Sequence, residues 1–332
     1  MPLRENGTSL AERLTPLVPQ ALTNATATFV DSLKISSTSE KVRRGRRVVI
    51  KQRQVYSQQL ADLANLYFRM SSIPIRFWSK TKDWQRWEVK CFQMLNGDRF
   101  RARTSGAKTI CVDKLPGESL WEHMNRGTLT RQMLEAAARE YCRAHQLWSD
   151  EFAGPLSHGD ASMANVMYNE KTGRARLIDF ELIHEKSLPA KSRQADDLLV
   201  FLLDLIGVVP GRQWLPFTLY FLNAYENARV IATLENQLAL PRGMAWIWWG
   251  VRTSFANPAK VKRRLAKLRD VIANLGSHRA IAVKRVRKRR RASITCHEMS
   301  PGMPSASSRT LAISDRAKAA SPGMPRRLPT KR

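Results

Sequence analysis

The sequence predicts an α+β protein in which a small, strand-rich first part gives way to a mostly α-helical second part. Three observations predict it. Val48-Val49-Ile50-Lys51 is a β-branched run, and residues Arg99 to Leu115 alternate as two strands joined around Ser105-Gly106. Two further short strands, Val166–Tyr168 and Arg176–Ile178, flank a turn at Lys171-Thr172-Gly173. After Phe180 the pattern is helical, in segments 193–207, 214–240, 243–254 and 258–274, each bounded by Pro or Gly.

The remaining elements follow in order. Residues 1–40 read as a weakly patterned N-terminal extension, with a short helix at Thr23–Leu33 and a polar loop at Ser36–Glu40. Ser57 to Met70 is helix-like and Pro74 ends it. Trp84, Trp87, Cys91 and Leu95 share one helical face. Leu115-Pro116-Gly117 closes the strand pair, Leu120–Met124 starts a short helix, and Thr130–Trp148 is a long amphipathic one. Leu198-Leu199-Val200-Phe201-Leu202-Leu203, cut off by Asp204, is too short to span a bilayer and reads as a buried core helix. Three tryptophans in Trp246-Ile247-Trp248-Trp249 cannot share one helical face, so core, interface and membrane headgroups are all open to them.

Composition narrows the class. The chain of 332 residues is 43% hydrophobic, enough for a sizeable core. Cys91, Cys111, Cys142 and Cys296 form no CxxC pair, which argues against zinc and for reduced thiols of a cytosolic protein. No secretory signal is expected in residues 1–20, which hold Glu5, Glu12 and three prolines. The formal net charge is +28. Residues 277–332 hold 15 Lys and Arg against Glu298 and Asp315, so they carry +13 and the other 276 residues +15. That tail includes Arg287-Lys288-Arg289-Arg290-Arg291 and a Ser/Pro/Gly-rich tract without apolar periodicity, the composition of a disordered segment. The field of such a body attracts anions and repels cationic substrates.

The chemistry concentrates in His158-Gly159-Asp160-Ala161-Ser162-Met163-Ala164-Asn165 and in Leu177-Ile178-Asp179-Phe180. Two carboxylates and a carboxamide at this spacing suit ATP–Mg²⁺ phosphoryl transfer. That reaction needs one group to orient the attacking hydroxyl and oxygen ligands to hold Mg²⁺ on the phosphates.

With these motifs the sequence resembles the protein-kinase-like superfamily. It is closest to the small-molecule and lipopolysaccharide kinase branch, whose aminoglycoside phosphotransferase-like, choline-kinase-like and Kdo-kinase-like members carry His-Gly-Asp where protein kinases carry His-Arg-Asp. The resemblance implies a bilobal fold, with a small antiparallel sheet in an N-lobe (41–115) and a mostly helical C-lobe (116–276). It implies that Asp160 orients or deprotonates the acceptor hydroxyl, that His158 braces the loop, and that Asn165 and Asp179 bind Mg²⁺. Lys51, in Val-Val-Ile-Lys, would pair with the nucleotide phosphates, partnered by Glu88 across an insertion at Ser57–Met70. Asp113 and Leu115 would lie on the hinge that hydrogen-bonds adenine. Asp196 or Asp197 would brace the catalytic loop; either is equally a helix N-terminal acid.

Two departures from the family pattern matter. No Gly-x-Gly-x-x-Gly precedes Lys51, so Ser36–Thr38 or the arginines of Arg43-Arg44-Gly45-Arg46-Arg47 would cover the phosphates. Glu181 stands where a glycine follows Asp-Phe in protein kinases. The expected activity is an ATP- and Mg²⁺-dependent kinase acting on a hydroxyl of a small molecule or of an anionic sugar or glycolipid, such as lipopolysaccharide inner core. The expected location is the cytoplasm, with peripheral contact at the inner membrane face. The alternatives are a kinase-like binding protein that meets membrane or nucleic acid through basic segments, and a serine/threonine protein kinase. The latter ranks low because the chain from Asp179 to Asp196 is short and has no Ala-Pro-Glu segment.

Overall fold

The computed structural model describes residues 35–253 and 256–274. The helix expected at Thr23–Leu33 and the tail at 277–332 lie outside the described residues. The chain divides into two units, 1–279 and 280–332, and the second lies wholly outside them.

The first part is built on a four-stranded antiparallel sheet. Strand β1 (Ser36–Arg43) turns through Arg44-Gly45 into β2 (Arg46–Arg53). Both turn residues have positive φ, 51° and 73°, as a two-residue hairpin turn requires. The polar loop expected at Ser36–Glu40 is therefore a strand. Its sequence carries no apolar alternation because β1 is an edge strand exposed on nearly all its length, and cross-strand hydrogen bonds do not depend on apolar side chains. The sheet order is β1-β2-β5-β4, with β4 at Ala102–Thr104 and β5 at Thr109–Asp113.

Helix α1 (Ser57–Met70) leads from β2 to a short strand β3 (Ile75–Phe77). Asn65 locks the two together: its Oδ1 accepts from the Phe77 N–H at 2.7 Å and its Nδ2 donates to the Phe77 carbonyl at 3.0 Å. Helix α2 (Thr81–Asn96) then packs on the sheet, burying Trp84, Trp87, Glu88, Cys91, Phe92 and Leu95. Trp84, Trp87, Cys91 and Leu95 are the predicted face, and Phe92 joins them.

The helical part begins after β6 (Glu118–Ser119) with α3 (Leu120–Asn125), whose Ser119 and Glu122 form a capping box. Gly117 precedes it with φ 99°, and a Cβ there would sit 1.9 Å from the Tyr168 carbonyl oxygen, so only glycine fits. Helix α4 (Arg131–Ala144) ends four residues before Trp148, which instead starts a small hairpin, β7 (Trp148–Ser149) with β8 (Gly154–Pro155). Strands β9 (Val166–Asn169) and β10 (Arg174–Leu177) form the second predicted pair, with β6 completing their sheet. The segment after Phe180 is not helical at once. Leu182–His184 forms β11, paired with β3 through Ile183↔Arg76. Three residues are too few to show a period, so neither strand was legible in the sequence.

Helix α5 (Ala190–Val208) runs through the main core, with Leu198, Phe201, Leu202 and Ile206 fully buried. The single helix expected over 214–240 is two, α6 (Trp214–Tyr225) and α7 (Ala228–Gln237). Glu226 breaks them at φ 60°, and Asn227 caps α7 by accepting from the Val230 N–H. Helix α8 (Ala245–Arg252) divides its tryptophans between neighbours. Trp248 meets Phe68 of α1 edge-on at 4.9 Å, while Trp246 stacks on Trp249 at 4.8 Å. Helix α9 (258–274) buries Val261, Leu265, Leu268 and Ile272 in the main core. Its Arg264 donates to the carbonyls of Ile206 and Val209 and its Lys260 to that of Gly207, so two cations of this helix satisfy the open C-terminus of α5. No described helix is long and apolar enough to cross a membrane. Among the described cysteines, Cys91 and Cys111 are buried free thiols and Cys142 is a half-buried one.

Candidate active site

Lys51 is the hub of the site. It is 5% exposed, and three carboxylates from two separate segments surround its ammonium. Asp179 Oδ1 lies at 2.6 Å, Glu181 Oε1 at 3.2 Å and Glu88 Oε1 at 3.3 Å. Burial alone would lower the Lys51 pKa, but Asp179, Glu88 and Glu181 together raise it, so the ammonium stays charged. The family resemblance implies Glu88 as its partner across an insertion, and α1 and β3 occupy that insertion. In the sequence, Glu181 marks only the absence of a glycine after Asp179-Phe180. Nothing in the sequence signals its carboxylate as part of the cluster, because the approach depends on Asp179 turning the chain.

Asp179 makes that turn at φ 64°, in the left-handed region that Asp tolerates better than most residues. The next N–H, that of Phe180, donates to Glu88 Oε2 at 3.0 Å. Glu88 therefore touches Lys51 with one oxygen and the Asp179-Phe180 turn with the other. Its burial, opposed by Lys51 but aided by Asp179 and Glu181, pushes its pKa up to about 7. Asp179 goes the other way: burial would raise it, but Lys51 and then His158 hold it below the usual carboxylate range.

The loop His158–Asn165 is held by its backbone. Asp197 of α5 accepts from the His158 N–H at 2.7 Å and the Gly159 N–H at 2.8 Å, and His145 Nε2 donates to the same carboxylate at 3.0 Å. Asp196 points elsewhere, to His184 at 3.1 Å and Arg252 at 3.2 Å. Neither lies in the first turn of α5, so the helix-terminus reading fails for both, and of the two it is Asp197 that braces the loop. Gly159 has φ 89°, and a Cβ there would lie 2.5 Å from the Leu182 carbonyl oxygen. A side chain would drive the loop off β11. His158 is neutral: burial lowers its pKa, Nε2 donates to the Ile178 carbonyl at 2.9 Å, and Nδ1 accepts from the Asp160 N–H at 3.3 Å.

Asn165, at the end of a one-turn 3₁₀ helix (Met163–Asn165), donates its Nδ2 to the Asp160 carbonyl at 2.8 Å and to Asp160 Oδ2 at 3.2 Å. Burial, then the charge of Asp179, raises the Asp160 pKa, against His158, Arg252 and Asn165. The structure thus brings Lys51, Glu88, Asp160, Asn165, His158 and Asp179 into one neighbourhood. Asp113 and Leu115 sit at the end of β5, and the Asp113 side chain is engaged there, accepting from the Arg101 N–H at 3.0 Å beside Arg46. The N–H groups of Asp113 and Lys114 donate to the carbonyls of Arg101 and Arg47.

Asp204 was not singled out in the sequence except as the end of an apolar run. It accepts from the Met163 N–H at 2.7 Å and so supports the loop from below. Burial pushes its pKa up to about 7. A carboxyl raised in the folded state favours folding while protonated, and that contribution fades as pH rises from the ordinary carboxylate range through 7. Asp204→Asn keeps the acceptor and removes the titration. Its stability relative to the parent is expected to grow by on the order of 2 kcal/mol between pH 5 and pH 8. Urea unfolding at the two pH values reads this directly; an unchanged difference would show that Asp204 is not held protonated.

The chemistry of the donor set provides the test for a metal. Asp160 and Asp179 lie close enough for the charge of Asp179 to raise the Asp160 pKa, and Asn165 is bonded to Asp160. Hard oxygen donors of this kind suit Mg²⁺. Among the described residues no group of three His, Cys, Asp or Glu side chains forms a metal cage by itself. Mg²⁺ does not need one, since it uses one or two carboxylates with water and substrate phosphates.

No protein-family model and no curated protein matches the sequence. Solved structures that align with it include the Mycobacterium tuberculosis Rv3197–erythromycin complex, at 16% identity and a TM-score of 0.32, over 65% of this chain and 62% of that one. The chain thus spans less than two thirds of Rv3197. Another is a Plasmodium vivax ethanolamine kinase, at 8% identity and a TM-score of 0.38, over 74% of this chain and 85% of that one.

Proposed function

We propose that this protein is an ATP- and Mg²⁺-dependent phosphotransferase whose acceptor is a hydroxyl group. The observation that carries this reading is the cluster at Lys51: a buried ammonium held between Glu88 and Asp179, next to a loop that presents Asp160 braced by Asn165. Asp160 would accept the proton of the attacking hydroxyl, and its raised pKa suits a base. Lys51 would exchange part of its contact with Asp179 for the nucleotide phosphates. Asp179 and the Oδ1 of Asn165 would hold Mg²⁺, which supplies charge neutralisation on the transferring phosphoryl group. At the hinge the donor outside the sheet bonds of Asp113 and Lys114 is the N–H of Leu115, since Pro116 has none; the Asp113 carboxylate is a poor candidate for adenine. There is no glycine-rich loop, and Ser36–Thr38 of β1 would cover the phosphates, since Thr38 pairs directly with Lys51, whereas Arg46 and Arg47 lie beside Asp113 and Lys114 at the hinge end of β2.

The acceptor we favour is an anionic sugar or glycolipid, met at the cytoplasmic membrane face, because residues 1–276 carry +15 and repel cationic acceptors. Only residues 185–189 separate β11 from α5, which leaves little chain to seat a peptide and disfavours a protein kinase. Nucleic-acid contact by the 277–332 tail falls outside the described residues. The test is Mg²⁺-ATP binding by calorimetry, followed by a screen of hydroxyl acceptors that includes purified core glycolipid. Lys51→Met is expected to weaken ATP binding at least tenfold, and Asp179→Asn to abolish its Mg²⁺ dependence. Absence of Mg²⁺-ATP binding by the parent protein sinks the reading.

A further inference from the structure

A groove of about 580 Å³ runs between α2 and the edge strand β4, away from the Lys51 cluster. Lys82, Arg86 and Lys90 line it from the helix and Arg103 from the strand, and no carboxylate is in its lining. The three helix cations are spaced i, i+4, i+8, so they form one stripe and repel one another. The nearby acids, Asp83 at 3.7 Å from Arg86 and Asp150 at 2.6 Å from Lys90, stand outside the groove, and Asp150 is largely exposed. The groove is built rather than incidental. Gln85 Nε2 donates to the carbonyls of Gly106 and Thr109, both at 2.9 Å, and Gln93 Nε2 to the carbonyl of Ala102 at 2.9 Å. Helix and hairpin are thus laced together at both ends, with Val89 between as floor.

We propose that this groove binds a small, multiply charged phosphate ligand at a site separate from the Lys51 cluster. The cation stripe is roughly 12 Å long, from eight helical rises, which matches two or three linked phosphates and is too short to track a nucleic-acid backbone. Arginine forks on both walls suit phosphate oxygens better than a single carboxylate. Occupancy locks α2, the helix that carries Glu88, against the sheet. The binding does not rest on the proposed phosphotransfer.

The probe is inorganic tripolyphosphate added to the full chain, with hydrogen exchange read by mass spectrometry. Protection is expected over 82–93 and 102–106, and it is expected to persist undiminished in Lys51→Met, where binding at the nucleotide site is weakened at least tenfold. In the Arg86→Gln/Arg103→Gln variant, whose changes lie on exposed side chains, that protection is expected to vanish and the calorimetric affinity for this site to fall about tenfold or more. A parallel arm uses phosphatidylglycerol vesicles. Protection by tripolyphosphate and not by vesicles supports a soluble phosphate ligand. Protection by vesicles alone, no protection of 82–93, or protection undiminished in the double variant overturns the proposal.

Discussion

Asp160→Asn is expected to fold like the parent protein and to lose acceptor-dependent phosphoryl transfer by about 10²- to 10⁴-fold, the range for loss of a positioned base. The two halves of that expectation rest on different facts. The amide keeps an acceptor for Asn165 Nδ2, which now meets Asp160 Oδ2 at 3.2 Å. Burial and Asp179 raise the pKa of Asp160. Its ionised form is thus disfavoured in the folded state, and removing the charge relieves the fold at neutral pH. The midpoint of urea unfolding at pH 7 should be unchanged or higher. Loss of transfer is read as acceptor-stimulated ADP release, with ATP binding checked separately. Retained transfer would exclude Asp160 as the base. Lost transfer together with a lowered midpoint would assign the residue a structural role instead.

Asp197→Ala is expected to lower the melting temperature by about 10 °C. Asp197 is fully buried and accepts from three donors, the His158 and Gly159 N–H groups and His145 Nε2. Alanine leaves all three buried donors without an acceptor, a loss of about 3–5 kcal/mol. For a domain of this size each kcal/mol corresponds to roughly 2–4 °C. Burial would raise the Asp197 pKa, but His145, His184 and His158 hold it below the ordinary range. A depressed carboxylate contributes stability above its unfolded pKa and loses it as pH falls through the folded one. The difference between parent and variant should therefore be full at pH 6–8 and shrink below about pH 4. Asp196→Ala is the control, since it breaks contacts to His184 and Arg252 rather than to the loop. Equal effects of the two changes on catalytic-loop hydrogen exchange would refute the separate role of Asp197.

The elements that were legible from the sequence are those whose order comes from local pattern. Helix α1 was placed at Ser57–Met70, as the structure has it. Helix α2, the β4–β5 hairpin and the β9–β10 hairpin were placed to within a few residues, because apolar period and Gly turns act over a few positions. What failed was short or exposed. The edge strand β1 has no apolar pattern, β3 and β11 have three residues each, and the α6–α7 break depends on one left-handed residue, Glu226.

At the site the division is similar. The sequence by itself determined which side chains are able to do chemistry, and spacing alone grouped Asp160 with Asn165. Lys51 and Glu88 are 37 residues apart and Lys51 and Asp179 are 128 apart, and only a motif resemblance joined them. Tertiary structure alone decided that Asp197 and not Asp196 holds the loop, that Asp204 supports it from below, and that Glu181 closes on Lys51. Those choices turn on side-chain direction and on desolvation. Both are set by the helix α5 and the turn at Asp179 once the chain has folded, and neither is written in the order of the residues.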